Sequence, residues 1–272
     1  MPSSRTGVHA PIGVDLDYHM EDFEPGAGSG RDSAFYHRRM DQAVLAEALS
    51  RPPGRVLDVA CGSGDLAARL AAAGWEAWGL EASSHMLGLG RWQGFDRQVL
   101  MVRGIAEALP FRDGSFDRVL CKGSLDHFAD AAAFMREAAR VLRPDGRLVI
   151  ALANFDAVSR RLGRGINAAA RLLSMRPPEG RPYWRPPPTH TVWGNLAYVR
   201  SLGGPLFFLE RCYGVSLLHH FLPWRVVVDR LPPRLSWTAM TALEGIARRW
   251  PAAGDMIVSV WKPGAGDEPD LW

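Results

Sequence analysis

One stretch constrains this chain more than any other: Val56-Leu57-Asp58-Val59-Ala60-Cys61-Gly62-Ser63-Gly64-Asp65. Its apolar run reads as a buried strand that feeds straight into a glycine turn. Two glycines two positions apart let the backbone turn sharply and approach a ligand closely, since neither carries a Cβ. Leu66 to Ala73 then reads as a helix closed by Gly74. The free N–H groups at the start of that helix face whatever lies above the turn. A second strand, Trp75 to Leu80, ends in Glu81. That acid lies about twenty residues past the glycines, where a carboxylate accepts both hydroxyls of a ribose. The expectation is an α/β protein with a nucleoside-bearing ligand at its strand ends.

Charge narrows the ligand. Gly62-Ser63-Gly64-Asp65-Leu66-Ala67 fits the dinucleotide pattern formally, with alanine in third place. Asp65, however, stands at the helix start, where it repels a pyrophosphate, and Asp58 adds negative charge beneath the turn. A cationic ligand prefers such a place. S-adenosylmethionine carries a sulfonium, an ammonium and a ribose diol, which suit acids at Asp58 and Glu81.

The stretch Asp58-Val59-Ala60-Cys61-Gly62-Ser63-Gly64 also resembles the first motif of class I S-adenosylmethionine-dependent methyltransferases. The similarity continues through Glu81, Gly104-Ile105-Ala106-Glu107-Ala108-Leu109-Pro110-Phe111, Asp113-Gly114-Ser115-Phe116-Asp117 and Arg140-Val141-Leu142-Arg143-Pro144-Asp145-Gly146-Arg147-Leu148. These five blocks stand in the family's order, and the match covers roughly residues 35 to 153. The resemblance implies a Rossmann-like seven-stranded sheet with its last strand antiparallel at the edge. It implies S-adenosylmethionine as cofactor. Asp58, Ala60, Gly62 and Gly64 would then meet its methionine end and Glu81 its ribose. Ala82 and Ser83 open a short helix whose Met86 would lie against the adenine, with core packing as the alternative. Ile105 and Ala106 would flank the same ring. Ile105 stands where the family commonly has Asp, so the adenine amino group must find another acceptor or water. Backbone from Cys121 to Ser124 would lie near the sulfonium. Tyr36 or Arg39, on a helix over Ser33 to Leu49, would reach the methionine carboxylate or simply pack.

The rest of the chain divides around that core. Residues 1–32, rich in Pro, Gly, Ser and Asp, read as a flexible arm. Residues 33–153 form the cofactor-binding core, with further strands at Val99 to Arg103, Asp117 to Cys121 and Arg147 to Ala153. Residues 154–205 read as an inserted cap, helical and Pro-rich. There Val158, Leu162, Ile166, Ala169 and Leu173 recur at helical spacing, with Arg160, Arg164 and Arg171 on another face. Arg176 to Pro188 carries six prolines and reads as a stiff extended loop. Thr191 to Leu202 reads as helical. Residues 206–262 return to the core with strands at Phe207 to Tyr213 and Asp255 to Trp261, and a helix around Trp237 to Arg249 between them. Residues 263–272 read as a loose tail.

Composition excludes other classes. Hydrophobic residues make up 47% of the 272 and charged ones 22%, as in ordinary globular chains. No apolar run approaches the ~18 residues of a membrane span. The N-terminus lacks an apolar signal core, and Cys61, Cys121 and Cys212 are scattered and odd in number. Both point to reduced thiols in a cytoplasm. No Cys or His cluster has zinc spacing, so no metal is expected. Net charge is +3, but residues 151–230 hold eleven Arg, no Lys and four acids.

Methyl transfer mainly requires that a nucleophile be positioned, and a base matters only where the nucleophile must lose a proton. Asp126-His127 is the one acid–imidazole pair in the loop beside the sulfonium. His127 is thus the candidate base, with loop shaping as its alternative. Asn154, Tyr183, Trp184, Trp193 and His220 are candidate acceptor contacts. His219-His220 reads equally as a packed lid pair. Tyr183, Trp184, Trp193, Phe207 and Trp224 suggest an aromatic lid. The expected acceptor is a small or lipid-like apolar or aromatic molecule, methylated at oxygen. A peripheral membrane contact through the Arg160–Arg171 face comes second, and nucleic acid last, because its binding brings a denser basic patch. The expected assembly is a monomer or homodimer. A nicotinamide-dependent oxidoreductase, and a binding module that transfers nothing, are the readings from other classes.

Overall fold

The computed structural model describes residues 30–174, 182–185 and 189–264. Most of the expected N-terminal arm, the six-proline loop and the tail lie outside them. Seven strands form one sheet in the order β3-β2-β1-β4-β5-β7-β6. They are β1 (Arg55–Val59), β2 (Glu76–Glu81), β3 (Leu100–Arg103), β4 (Phe116–Lys122), β5 (Leu142–Ala153), β6 (Phe207–Val215) and β7 (Met256–Pro263). The helices are α1 (Arg31–Ala48), α2 (Asp65–Ala72), α3 (Ser84–Trp92), α4 (Ala131–Val141), α5 (Val158–Leu172), α6 (Leu196–Ser201), α7 (Leu222–Arg230) and α8 (Pro233–Arg249).

Alternation along the strands builds two cores. Leu57 and Val59 of β1 join Val119, Ile150 and Leu152 under α4, where Phe134, Met135 and Ala138 are buried. Val56, Leu120, Val149 and Val258 face the other way, onto Met40 and Val44 of α1 and Leu66 and Leu70 of α2. Asp58 shares that second face by strand periodicity, which points it toward α1 and α2 beneath the glycine turn.

Two strand expectations need correction. β7 is antiparallel to β5, but it lies inside the sheet, between β5 and β6, and the edge strand is β6. Burial explains the order. Met256 to Trp261 is buried at every residue, as an internal strand should be. β6 instead carries Glu210 and Arg211 and exposes Phe208, features that suit an edge. β5 also begins five residues earlier than expected. Leu142 pairs with Phe116 and Arg147 with Arg118, so Pro144-Asp145-Gly146 turns within a bulge of the strand.

The cap differs more. The helix expected over Thr191 to Leu202 shrinks to α6, because Asn195 caps it by accepting from the Tyr198 N–H at 2.8 Å. α5 forms as expected but faces the opposite way: Leu162, Ile166 and Leu173 are exposed while Ser159, Arg160 and Gly163 are buried. Gly163 permits this, since a Cβ there would fall 2.4 Å from the Tyr183 Oη and 2.7 Å from the Trp184 ring. α7 and α8 cover the outer side of α1, where Phe35, Val228 and Met240 form a small third core with Trp224 and Trp237.

Candidate active site

The site lies at the ends of β1, β2, β4 and β5. Between β1 and α2 the backbone enters the left-handed region at Ala60 (φ +54°), Gly62 (φ +59°) and Gly64 (φ +90°). An alanine in that region stores on the order of 1 kcal/mol of strain, a cost proteins keep at functional turns. The turn is lined closely. A Cβ on Gly62 would meet the Met86 methyl at 3.2 Å, and one on Gly64 the Met101 sulfur at 3.1 Å. α3 packs directly beneath it: a Cβ on Gly90 would fall 2.3 Å from the Ser63 carbonyl oxygen. Gly90 had a sequence signal, a glycine inside a helical stretch, that points to close packing.

Glu81 locks this turn. One carboxylate oxygen accepts from the Gly62 N–H and the other from the Ser83 N–H, both at 2.9 Å. Each oxygen keeps a further lone pair for a ligand hydroxyl. Ser83 in turn caps α3 by accepting from the Met86 N–H at 3.2 Å. Met86 therefore sits over Gly62, between α3 and the turn. Ile105 is half-buried, and Ala106 belongs to the core beneath it. Cys121 is fully buried in β4, and the Ser124 hydroxyl donates to the Lys122 carbonyl at 3.3 Å. Glu107 caps locally, accepting from the Ala129 N–H at 2.8 Å.

Beneath the turn the charge is acidic. Burial pushes the Asp58 carboxyl up to about 7; nearby Lys122 pulls it down, while Glu81, Asp41 and Asp65 push it up further. Lys122 is already held by Asp41 at 2.7 Å, and Arg69 by Asp65 at 2.8 Å. A ligand cation above Asp58 would supply the missing positive charge, lower that pKa and expel the proton. At pH 7 a group of pKa about 7 is half protonated, so S-adenosylmethionine is expected to release about half a proton on binding. The release should fade above about pH 8, where the group is already ionised, and affinity should rise as pH increases toward that value. Calorimetry in buffers of different ionisation enthalpy measures it. No release, or an undiminished release in Asp58→Asn, would refute this role.

Facing the cradle, β4 ends in a 3-10 turn, Leu125–His127. The imidazole that meets the buried Asp126 is His190, whose Nδ1 lies 3.0 Å from the Asp126 Oδ2. Thr191 brings it there: its N–H donates to the Asp126 carbonyl at 2.7 Å and its hydroxyl to the Phe128 carbonyl at 2.7 Å. His127 lies edge-on to His190, ring centroids 4.5 Å apart. Burial lowers the His127 pKa, Asp126 raises it and His190 lowers it further, with a net fall. Asp126, His127 and His190 each bring one ligand atom within 4.8 Å of the others. Local spacing concealed this trio, because His190 is distant in sequence.

The third wall is the loop between β6 and α7. Ser216, Leu218 and His220 all lie in the left-handed region although none is glycine. Asp255 holds that loop, accepting from the His219 N–H at 2.8 Å and the Ser159 hydroxyl at 2.5 Å. His219 stacks on Tyr36 at 4.2 Å, and the exposed His220 stands 3.8 Å from His219. Tyr36 is thus buried against this loop.

Other expected contacts are committed elsewhere. Arg39 bonds the buried Glu244 of α8 through Nη2 at 3.0 Å and so does not reach toward the cofactor. Asn154 is fully buried; it donates to the Gly254 and Ala252 carbonyls and accepts from the Asp156 N–H. It clamps β5 to the start of β7, which leaves no amide donor for an acceptor molecule. Phe207 is in the main core and Trp224 in the cluster over α1, so neither joins a lid. Tyr183 donates to the Ser159 carbonyl at 2.9 Å. Trp184 and Trp193 line a cavity of about 490 Å³ with Arg164, Asn167, Arg171 and Arg185.

A parallel sheet with one reversed strand inserted before its edge thus carries a glycine turn and an acidic clamp at its strand tips. Comparison with known proteins makes this specific. Residues 57–150 match the family described as "Methyltransferase domain". The demethylmenaquinone methyltransferase of Deinococcus radiodurans is 42% identical over 113 residues, 40% of this chain and 47% of that protein. The uncharacterized methyltransferase YcgJ of Bacillus subtilis is 33% identical over 132 residues, 47% of this chain and 52% of that one. This chain thus spans about half the length of the curated relatives it matches. Among solved structures, the [4+2]-cyclase SpnF shares the fold with a TM-score of 0.56 at 20% identity, covering 88% of this chain and 86% of that one. Residues 57–150 of this chain are thus similar to a methyltransferase domain. No helix among the described residues is long and apolar enough to cross a membrane.

Proposed function

We propose that this protein transfers a methyl group from S-adenosylmethionine to a small apolar or aromatic acceptor, at a hydroxyl oxygen. The observation that carries the reading is the cradle of Gly62, Gly64, Glu81 and Asp58, close to backbone and acidic where a pyrophosphate would need the reverse. Bound there, S-adenosylmethionine would supply an electrophilic methyl group on a sulfonium.

The residues around it have separable tasks. Glu81 orients the ribose, and the Asp58 carboxylate balances the ligand's positive charge. Asp126 stands 3.0 Å from the His190 Nδ1, and with the proton on that nitrogen the His190 Nε2 takes the proton of an acceptor hydroxyl. His127 remains the alternative base in the same loop. The methyl-bound oxygen then carries no proton, and the imidazolium is stabilised by Asp126. Tyr36, His219, Tyr183, Trp184 and Trp193 shape the acceptor space.

Fold alone does not fix the reaction, since SpnF is called a cyclase on the same architecture. Relatives named for quinone biosynthesis keep methylation at carbon as the second reading for this chain. The test is a panel of phenols and quinols incubated with S-adenosylmethionine, with products read by mass and by the proton shift of the new methyl. An O-methyl signal supports the proposal and a C-methyl signal replaces it. Tight binding of a pyridine dinucleotide, with none of S-adenosylmethionine, would return the site to the oxidoreductase reading.

A further inference from the structure

α5 buries a guanidinium that has no hydrogen-bonded anion among the described residues. Arg160 lies in the first turn of α5 and is only 9% exposed. Its guanidinium carbon stands 3.8 Å from the centroid of the Phe155 ring. Its Nη1 is buried without a hydrogen-bond partner. One turn further on, Arg164 shows the ordinary solution: it donates to the Phe155 carbonyl at 2.9 Å and approaches Asp156 at 3.4 Å. Arg160 has no such acceptor among the described residues, although Asp126 and Asp255 lie within its electrostatic reach. Both acids are engaged already, Asp126 by His190 and Asp255 by Ser159 and the His219 N–H. A buried guanidinium left unpaired is unfavourable, so a fold that keeps one gains only if something else brings the anion.

Its position says what that partner is. The Phe155 ring beneath Arg160 also meets His190, with centroids 5.5 Å apart. On the other side, Tyr183 bonds the Ser159 carbonyl and faces His220, with centroids 6.1 Å apart. Arg160 therefore stands between the Asp126–His190 pair and the strained His219–His220 loop. This is the acceptor side of the site. Phe155 meets the face of the guanidinium, and the buried Nη1 on its edge, part of the fork that matches a carboxylate, is left without a partner.

We infer that Arg160 binds a carboxylate of the acceptor and selects acidic acceptors over their neutral counterparts. The inference rests on the reading of this site as the acceptor pocket of a methyltransferase. It goes beyond that reading in naming the charge the acceptor carries. Arginine is required here because a lysine offers a point charge in place of a planar pair of donors.

The test uses aromatic hydroxy acids of several shapes, among them salicylate, 4-hydroxybenzoate and 4-hydroxycinnamate, each beside its methyl ester. They are titrated into the full-length protein with S-adenosylhomocysteine present, whose own binding is measured first. At least one acid is expected to bind about tenfold or more tightly than its ester, as one charge-assisted contact provides. Arg160→Gln is expected to bring that ratio near one while S-adenosylhomocysteine affinity stays within about twofold, and Arg160→Lys to retain part of the ratio. If no acid in the panel outbinds its ester, or if Arg160→Gln keeps the preference, the inference is overturned. Failure of S-adenosylhomocysteine to bind sinks the methyltransferase reading instead, and the same acid and ester titrations without it still decide the role of Arg160. Should Arg160→Gln not fold, the wild-type ratio and Arg160→Lys decide.

Discussion

Glu81→Ala is expected to reduce S-adenosylmethionine affinity by about a hundredfold or more. Two effects combine. Hydrogen bonds from ligand hydroxyls to a charged acceptor are worth about 1.5–3 kcal/mol each, so losing two removes at least ~3 kcal/mol. The same carboxylate also holds the Gly62 and Ser83 N–H groups, and hence both the glycine turn and the start of α3. Alanine leaves the buried Ser83 donor and the part-buried Gly62 donor unsatisfied in the free protein too, which should appear separately as a lower melting temperature. Glu81→Gln divides the effects. Its amide oxygen can keep one of the two backbone bonds, but its NH2 must face the other N–H, so an intermediate loss is expected. Calorimetric titration of both variants beside thermal melts gives the two readouts. Affinity in Glu81→Ala within about threefold of wild type would show that the acid shapes the loop and does not bind the ligand.

The glycine turn and its acidic clamp were legible because their constraints are local. A glycine turn, a helix start and an acid at the next strand tip lie within thirty positions, and each residue type is demanded by backbone geometry or charge. Sheet direction followed from the same logic, since strands alternating with helices must run parallel. The order of the last two strands was equally present in composition. Met256 to Trp261 is nearly continuous in apolar residues, whereas Phe207 to Tyr213 is broken by Glu210 and Arg211. Taking the edge from the family resemblance in place of the burial pattern misplaced β7.

The acceptor half was not legible, for a different reason. Its residues come together from separate excursions of the chain. His190 reaches Asp126 only because Thr191 is tied to two carbonyls of the β4 turn. His219 meets Tyr36 only because Asp255 anchors a left-handed loop. The helical period of α5 was legible and the side it buries was not. Amphipathicity predicts which residues share a face, while tertiary packing decides which face is buried. Gly163, by admitting Tyr183 and Trp184, draws the Arg160 side inward, a packing effect that a hydrophobicity pattern does not register.

His190→Ala is expected to lower kcat by about 10²- to 10⁴-fold with a phenolic acceptor, and to change cofactor affinity little. A carboxylate 3.0 Å from its Nδ1 favours a proton there, the tautomer that presents Nε2 as the acceptor of a proton. Asp126→Asn should therefore lower kcat in the same direction, and the double variant should lose little beyond His190→Ala, since the two act as one unit. His127→Ala discriminates between neighbours: a loss below about threefold removes it as the base. Burial keeps the His127 imidazole neutral below the usual range, so a rate carried by that residue would hold to lower pH than an ordinary histidine permits. The decisive readout is the pH profile of His190→Ala. A missing base is replaced by prior ionisation of the acceptor, so its rate should climb about tenfold per pH unit toward the phenol pKa near 10. A variant that is slow and flat across that range has lost positioning instead. An unchanged kcat would show that the pair only joins the 189–195 segment to β4.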